Sequence, residues 1–299
     1  MYHQVLEQPD PYTCFGIHLS MFEAQLALLS RFCSVLPLDE IMDRIERGHP
    51  LPARCVALTF DDGYRDMYTR AVPLLKRYNL PAILYVAVQA IERGFVWLDL
   101  LRYVIRTTHE LRVELDTLQD GEPRIVSFAT LSERVRAARQ LNVRLKQLQS
   151  GDKRRVLDEL VWKLLGRSPH DVTIPGLMLS WDQLRSMARD GVEIGAHTMT
   201  HPILTRIPEQ EAKDEITTSR RKLEQALGVP VRHFAYPNGQ PADFSPAVRR
   251  LVEEAGFRSA CTTVQGFNRP SDDRLILKRI DGNQDTLHRL VRIMADRAS

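Results

Sequence analysis

An α/β fold in which seven parallel strands close, or nearly close, into a barrel is predicted by three observations. Short apolar, β-branched runs bounded by turn residues recur along the chain, helical patterns separate most of them, and no GxGxxG segment marks the crevice of an open doubly wound sheet. The runs are Met1 to Val5, Cys55 to Phe60, Ala82 to Ala87, Val192 to His197, Val231 to Tyr236, Phe257 to Thr263 and Leu275 to Ile280. A helix between successive strands is the crossover that parallel pairing requires.

The intervening helices carry their own signals. Phe22, Leu26 and Leu29 recur at helical spacing. Ser245 before Pro246 supplies an N-cap and a first helical position, and Gly191, Gly228 and Gly256 each follow a helical pattern as a C′ residue. From about 99 to 176 the rhythm breaks into a charged, helical stretch. Leu131, Val135, Ala138, Leu145 and Leu148 form one stripe there, and Val156, Leu160, Val161 and Leu164 another. Thr130 to Glu133 and Ser180 to Gln183 have capping-box spacing. The expectation is a single domain over 1–299 with a helical insertion, serving either as a wall or lid at the barrel mouth or as a solvated decoration or oligomer contact. Its oligomeric state is not legible.

Composition narrows the function classes. The 299 residues are 43% hydrophobic and carry a net charge of +3, with 41 basic residues against 38 acidic ones. That balance supplies no field for non-specific nucleic-acid binding, so no nucleic-acid partner is expected. Cys14, Cys33, Cys55 and Cys261 contain no CxxC pair and read as small core residues in a reducing compartment. No apolar run is long enough for a membrane-spanning helix, and the first residues lack a basic region followed by an apolar one. The expected location is therefore cytoplasmic as the sequence stands, or the cell envelope if a targeting segment lies upstream.

Two segments carry chemistry. Leu58-Thr-Phe-Asp-Asp-Gly-Tyr64 puts adjacent carboxylates where a strand ends and a glycine turn begins. One can ligate a metal while its neighbour stays free as a base; the alternative is a plain Asp-Gly turn that opens the next helix. The segment Glu193 to Pro202 runs from a strand into His197-Thr-Met-Thr-His201. Histidines four apart can share one face of a helical turn and bind one cation, and Pro202 constrains the chain just beyond them. His233 reads as a packed core residue, while His18, His49, His109, His170 and His288 have no partner at metal spacing.

TFDDGY and HTMTH resemble the first two motifs of the polysaccharide deacetylases, the NodB homology domain or carbohydrate esterase family 4. The resemblance covers roughly residues 1 to 98 and 177 to 282. It implies a distorted (β/α)7 barrel and a metal-dependent deacetylase that removes acetate from an N-acetylated glycan or amino-sugar substrate. Asp61 is then the general base, and Asp62, His197 and His201 hold a divalent cation, usually zinc. In the third motif the chain departs from the commoner pattern: in Phe234-Ala-Tyr-Pro-Asn-Gly239 the expected arginine is Ala235. The backbone oxyanion donor falls on Asn238, and Arg279 is the candidate to orient Asp61 in place of the missing arginine. The late-strand histidine that usually serves as acid is also absent. Tyr2-His3 resembles the amino-terminal element of a permuted branch that includes poly-N-acetylglucosamine deacetylases, which makes His3 the candidate acid.

Two other readings remain. One is a deformylase or deacetylase of a lipid-linked or nucleotide-linked amino sugar. The other is an inactive carbohydrate-binding protein that kept the fold after losing its arginine. A phosphoesterase on the same ligands is disfavoured, because no Arg or Lys cluster adjoins the motifs.

Overall fold

A computed structural model describes residues 1–13, 15–116 and 124–282. Six strands form one parallel sheet. In spatial order they are Leu277–Arg279, Ser259–Gln265, His233–Ala235, Glu193–Ala196, Ile83–Val86 and Thr59–Phe60. The amino-terminal residues lie between its two edges. Tyr2 N–H donates to the Thr59 carbonyl at 2.8 Å and Asp61 N–H to the Tyr2 carbonyl at 3.0 Å, while on the other side Gly282 N–H donates to the Met1 carbonyl at 2.7 Å. Met1 and Tyr2 thus fill the seventh stave, so the curled sheet has the barrel form the sequence predicts.

The expected strands are trimmed and in two places divided. Gln4–Leu6 leaves the barrel wall to pair in parallel with Gly16–His18. The run from Cys55 to Phe60 splits, its first part, Cys55–Val56, pairing with Ser34–Val35. Residues 99 to 176 are not wholly helical. Beside the helices Trp97–Thr107, Leu131–Gln147 and Ser150–Leu165, the strands Arg112–Leu115 and Arg124–Ser127 pair antiparallel. Val113 and Leu115 are buried and Arg112 and Glu114 exposed, a period-two pattern that the high charge of the segment conceals. Both capping boxes form, and Ser245 caps its helix. The stripe on Leu131–Gln147 is shifted, with Ala137, Ala138, Leu141 and Leu145 buried and Leu131 exposed, whereas Val156, Leu160, Val161 and Leu164 are all buried. Of the cysteines, Cys261 is buried and Cys33 and Cys55 are half-buried and free; Cys14 and His288 lie outside the described residues.

Strand alternation sorts the core into layers. Phe60, Leu84, Val86, Ile194, Ala196 and Phe234 face outward onto helices such as Leu19–Phe32 and Glu209–Leu227. Ile83, Tyr85, Ala235, Cys261 and Leu277 face the barrel interior. The helix Leu38–Glu46 packs on that inner layer, and the Glu193 carboxylate accepts from the N–H groups of Leu38 and Asp39 at 2.7 and 2.8 Å, capping the helix. Gly195 is required inside. A Cβ there would stand 2.4 Å from the Tyr85 ring and 2.9 Å from the His233 carbonyl oxygen.

Asp66 lies outside the residues singled out in the sequence and gives a pH-dependent expectation. Burial pushes its carboxyl up to about 7, and its Oδ1 is buried without a hydrogen-bond partner. The folded pKa exceeds the unfolded value of about 3.9, so the protonated acid is favoured by folding, and that contribution is lost as pH rises through about 7. Asp66→Asn is therefore expected to gain a few kcal/mol, on the order of 1.4 per pKa unit, above pH 7 and little below pH 4. Urea midpoints at the two pH values check it, and equal shifts at both would contradict the assignment.

Candidate active site

The carboxyl ends of the strands bring together the residues singled out in the sequence. Asp61 follows Thr59–Phe60 with inward parity, and His197 does the same after Glu193–Ala196. Strict alternation would turn Asp62 away from Asp61, but its φ of 75° swings the chain so that it reaches the two histidines. Asp62 Oδ1 lies 3.4 Å from His197 Nε2 and 3.1 Å from His201 Nε2, and the three ligand atoms fall within 4.8 Å of one another. All three residues are buried.

The loop bearing the histidines is not the helical turn expected. Thr198 and His201 have φ of 67° and 60°, outside the helical region, and the residue before a proline such as Pro202 is itself disfavoured there. The turn is held by hydrogen bonds. His201 N–H donates to Thr198 Oγ1 at 3.0 Å. The Glu215 carboxylate accepts from the N–H groups of Met199 and Thr200 at 2.8 Å each and from Thr200 Oγ1 at 2.7 Å. Four of the six non-glycine residues with positive φ among those described, Asp62, Thr198, His201 and Asn238, belong to this site, so local backbone strain is concentrated here.

The donor set fits a divalent cation. His197 Nδ1 lies 2.7 Å from the Ala235 carbonyl, which fixes that nitrogen as the N–H and leaves Nε2 with its lone pair toward Asp62. Asp62 Oδ1 is buried with no hydrogen-bond partner among the described residues. Two imidazole nitrogens converging on an unsatisfied carboxylate oxygen make the N2O set that suits zinc with coordination positions to spare. Burial opposes ionisation of Asp62, yet the adjacent His201 and His197 hold its pKa well below the ordinary value. The same carboxylate and Asp61 raise the pKa of His197 against the effect of burial, whereas burial prevails at His201 and lowers it.

Arg279 meets Asp61 in a fork. Its two terminal nitrogens donate to Oδ1 and Oδ2 at 2.8 and 2.7 Å, its Nε donates to the Thr262 carbonyl at 2.7 Å, and Thr59 Oγ1 lies 3.2 Å from Nη1. Burial works against the Asp61 carboxylate, but the guanidinium outweighs it and holds the pKa below its usual value. An arginine from the last strand, the one the sequence offered as candidate, thus stands beside Asp61.

His3 and Asn238 complete the set. His3 Nε2 is 3.9 Å from Asp61 Oδ2, its ring packs on Phe15 at 5.1 Å, and burial lowers its pKa. Asn238 and Gly239 have φ of 59° and 63°, the positive pair that a type I′ turn needs at its centre, and the Asn238 carbonyl accepts from Thr263 Oγ1. Asn238 N–H makes no hydrogen bond to another described residue.

Three features escape a reading of motifs. Glu215, in the long helix Glu209–Leu227, braces the histidine turn from outside any motif. Asp99 accepts from Tyr64 Oη at 2.9 Å and from Val96 N–H at 3.1 Å, and burial raises its pKa to about 6. Lys153, from the inserted segment, stands near enough for its charge to act on His201, so a basic residue does approach the motifs. A second cluster, Asp39, Glu193 and His233, lies at the opposite strand ends. Its carboxylates are already engaged by Arg232, Arg258 and the Leu38–Glu46 helix, and His233 is a buried, hydrogen-bonded core residue as expected.

Comparison with known proteins agrees with this geometry. A family profile described as polysaccharide deacetylase matches residues 48–260. The poly-beta-1,6-N-acetyl-D-glucosamine N-deacetylase of Escherichia coli K12 is 31% identical over 83 residues, covering 27% of this chain and 12% of that protein. The chain spans less than half the length of the sequence relatives it matches. Among solved structures, the Streptococcus pyogenes deacetylase PplD in complex with acetate superposes with a TM-score of 0.65 at 17% identity, covering 98% of this chain and 96% of that one. IcaB from Ammonifex degensii gives 0.63 at 20% identity, covering 98% and 94%. Both establish the likeness of fold over nearly the whole chain.

Proposed function

The chain belongs to the polysaccharide deacetylase family, and we propose that it hydrolyses the amide of an N-acetylated amino sugar in a glycan, releasing acetate, with a divalent cation held by Asp62, His197 and His201. The observation that carries this reading is the Asp61 carboxylate, gripped on both oxygens by Arg279 directly beside that three-ligand cluster. The same ion pair counts against an inactive glycan-binding protein, whose ground was the lost arginine.

When bound, the cation supplies Lewis-acid polarisation of the carbonyl and brings the acidity of water near neutral pH. The remaining work belongs to the chain. Asp61 accepts the proton of the attacking water, and Arg279 keeps its carboxylate ionised and aimed. Asn238 N–H faces the oxyanion of the tetrahedral intermediate as a backbone donor that side-chain change leaves intact. His3, 3.9 Å from Asp61 and with its pKa lowered by burial, receives the proton that Asp61 has taken from water and delivers it to the departing amine.

The test is acetate release by zinc-loaded protein from N-acetylglucosamine oligomers beside UDP-N-acetylglucosamine. Turnover of the oligomers supports a glycan deacetylase, turnover of the nucleotide sugar alone moves the substrate to a precursor, and turnover of neither, with metal bound, refutes the reading.

A further inference from the structure

A cavity of about 640 Å³ opens between the inserted helices and the turn that carries His201. Thr200 and Pro202 line one wall; Trp97, Lys153 and Leu157 line the other. Lys153 belongs to a helix face otherwise made of Val156, Leu157, Leu160, Val161 and Leu164, where packing alone calls for another apolar side chain. It is 6% exposed, its ammonium lies 4.6 Å from the centre of the Trp97 ring, and no carboxylate of a described residue forms an ion pair with it. The Trp97 Nε1–H is buried and lacks a hydrogen-bond partner among the described residues.

We infer that this cavity is a subsite for a negatively charged substituent, a carboxylate or a phosphate, on the substrate next to the sugar that is deacetylated. A buried ammonium without a carboxylate in direct contact is costly, and such charges in folded proteins are normally paired. Glu215 on the same wall does not pair with it directly, because its oxygens are taken by Met199, Thr200 N–H and Thr200 Oγ1. The charge of Lys153 reaches His201; among its neighbours Lys146 repels it and Glu215 attracts it, and both basic and acidic side chains line the cavity around it. The ammonium, held over the Trp97 ring and without an ion-pair partner among the described residues, lines the cavity as a donor for an anion. The location next to the reacting sugar rests on the deacetylase reading; the anion preference rests on the cavity.

The test uses the metal-loaded full chain and calorimetric titration at low salt with three probes: tetra-N-acetylchitotetraose, a hyaluronan tetrasaccharide and UDP-N-acetylglucosamine. At least one anionic probe is expected to bind about tenfold more tightly than the neutral one, as a charge-assisted hydrogen bond allows. Lys153→Met should erase the difference without lowering the thermal midpoint of the free protein, and Lys153→Gln serves as a second uncharged variant. Which anionic probe carries the preference tells a carboxylate from a diphosphate. No preference in the wild type, or a preference that survives both substitutions, overturns the inference. Acetate is measured in the same samples. Lys153-dependent preference without acetate release leaves the subsite standing and refutes the deacetylase, whereas release from chitotetraose without preference does the reverse.

Discussion

Asp61→Asn is expected to lower kcat for acetate release about a thousandfold while bound metal is retained. The magnitude is that of a general base, whose removal costs on the order of 10² to 10⁴ in rate. Retention follows from geometry: Asp61 is outside the three-ligand cluster, and its oxygens are turned to Arg279. Asparagine keeps the shape but cannot accept the proton, and it leaves Arg279 buried opposite a neutral group. Single-turnover rates with zinc quantified on the same samples check both halves. A variant that keeps most of its activity would remove Asp61 from the role of base, and one that loses its metal would place it among the ligands.

Arg279→Met is expected to cost about 3 to 5 kcal/mol of stability, because removing one partner of a buried ion pair strands the other. Both members are nearly inaccessible: Arg279 is 6% exposed and Asp61 1%. The kinetic consequence has a definite sign. The guanidinium holds the Asp61 pKa down against burial, so without it the pKa rises and the acid limb of the pH–rate profile moves to higher pH. A merely structural arginine would lower stability and leave that limb in place. Urea unfolding and the pH dependence of kcat therefore separate the two roles, and an unmoved limb would show that Arg279 packs without tuning the base.

Much of this was legible because chemistry and topology coincide at strand ends. The runs at 82 to 87, 192 to 197 and 231 to 236 became barrel strands within a residue or two at each end, since apolar β-branched residues between turn signals have few other uses. The motif residues converge because a parallel barrel delivers every strand's carboxyl end to one face. The chain's own departures were also readable: with Ala235 in the arginine position, Arg279 at the end of the last strand was the candidate to restrain Asp61, and the two form an ion pair.

What stayed hidden depends on backbone conformation or on contacts distant in sequence. Histidines four apart fit a helical turn on spacing alone, and nothing in the letters announces the positive φ of Thr198 and His201 that replaces it. The Arg112–Leu115 and Arg124–Ser127 pair is short and charged, so its alternation is weak beside the helical stripes around it. Glu215 and Lys153 look like ordinary polar positions on helices. Only the packing of those helices against the histidine turn turns them inward.

The account's central claim is that Asp62, His197 and His201 hold a cation on which amide hydrolysis depends. The most direct measurement is zinc bound per chain, together with acetate release, for wild type and His201→Ala before and after chelation. The account predicts a single equivalent of zinc in the wild type, activity lost on chelation and restored by zinc, and weak or absent binding with no turnover in His201→Ala. A wild type that binds no divalent metal, or a His201→Ala protein that binds zinc and releases acetate as the wild type does, would contradict it.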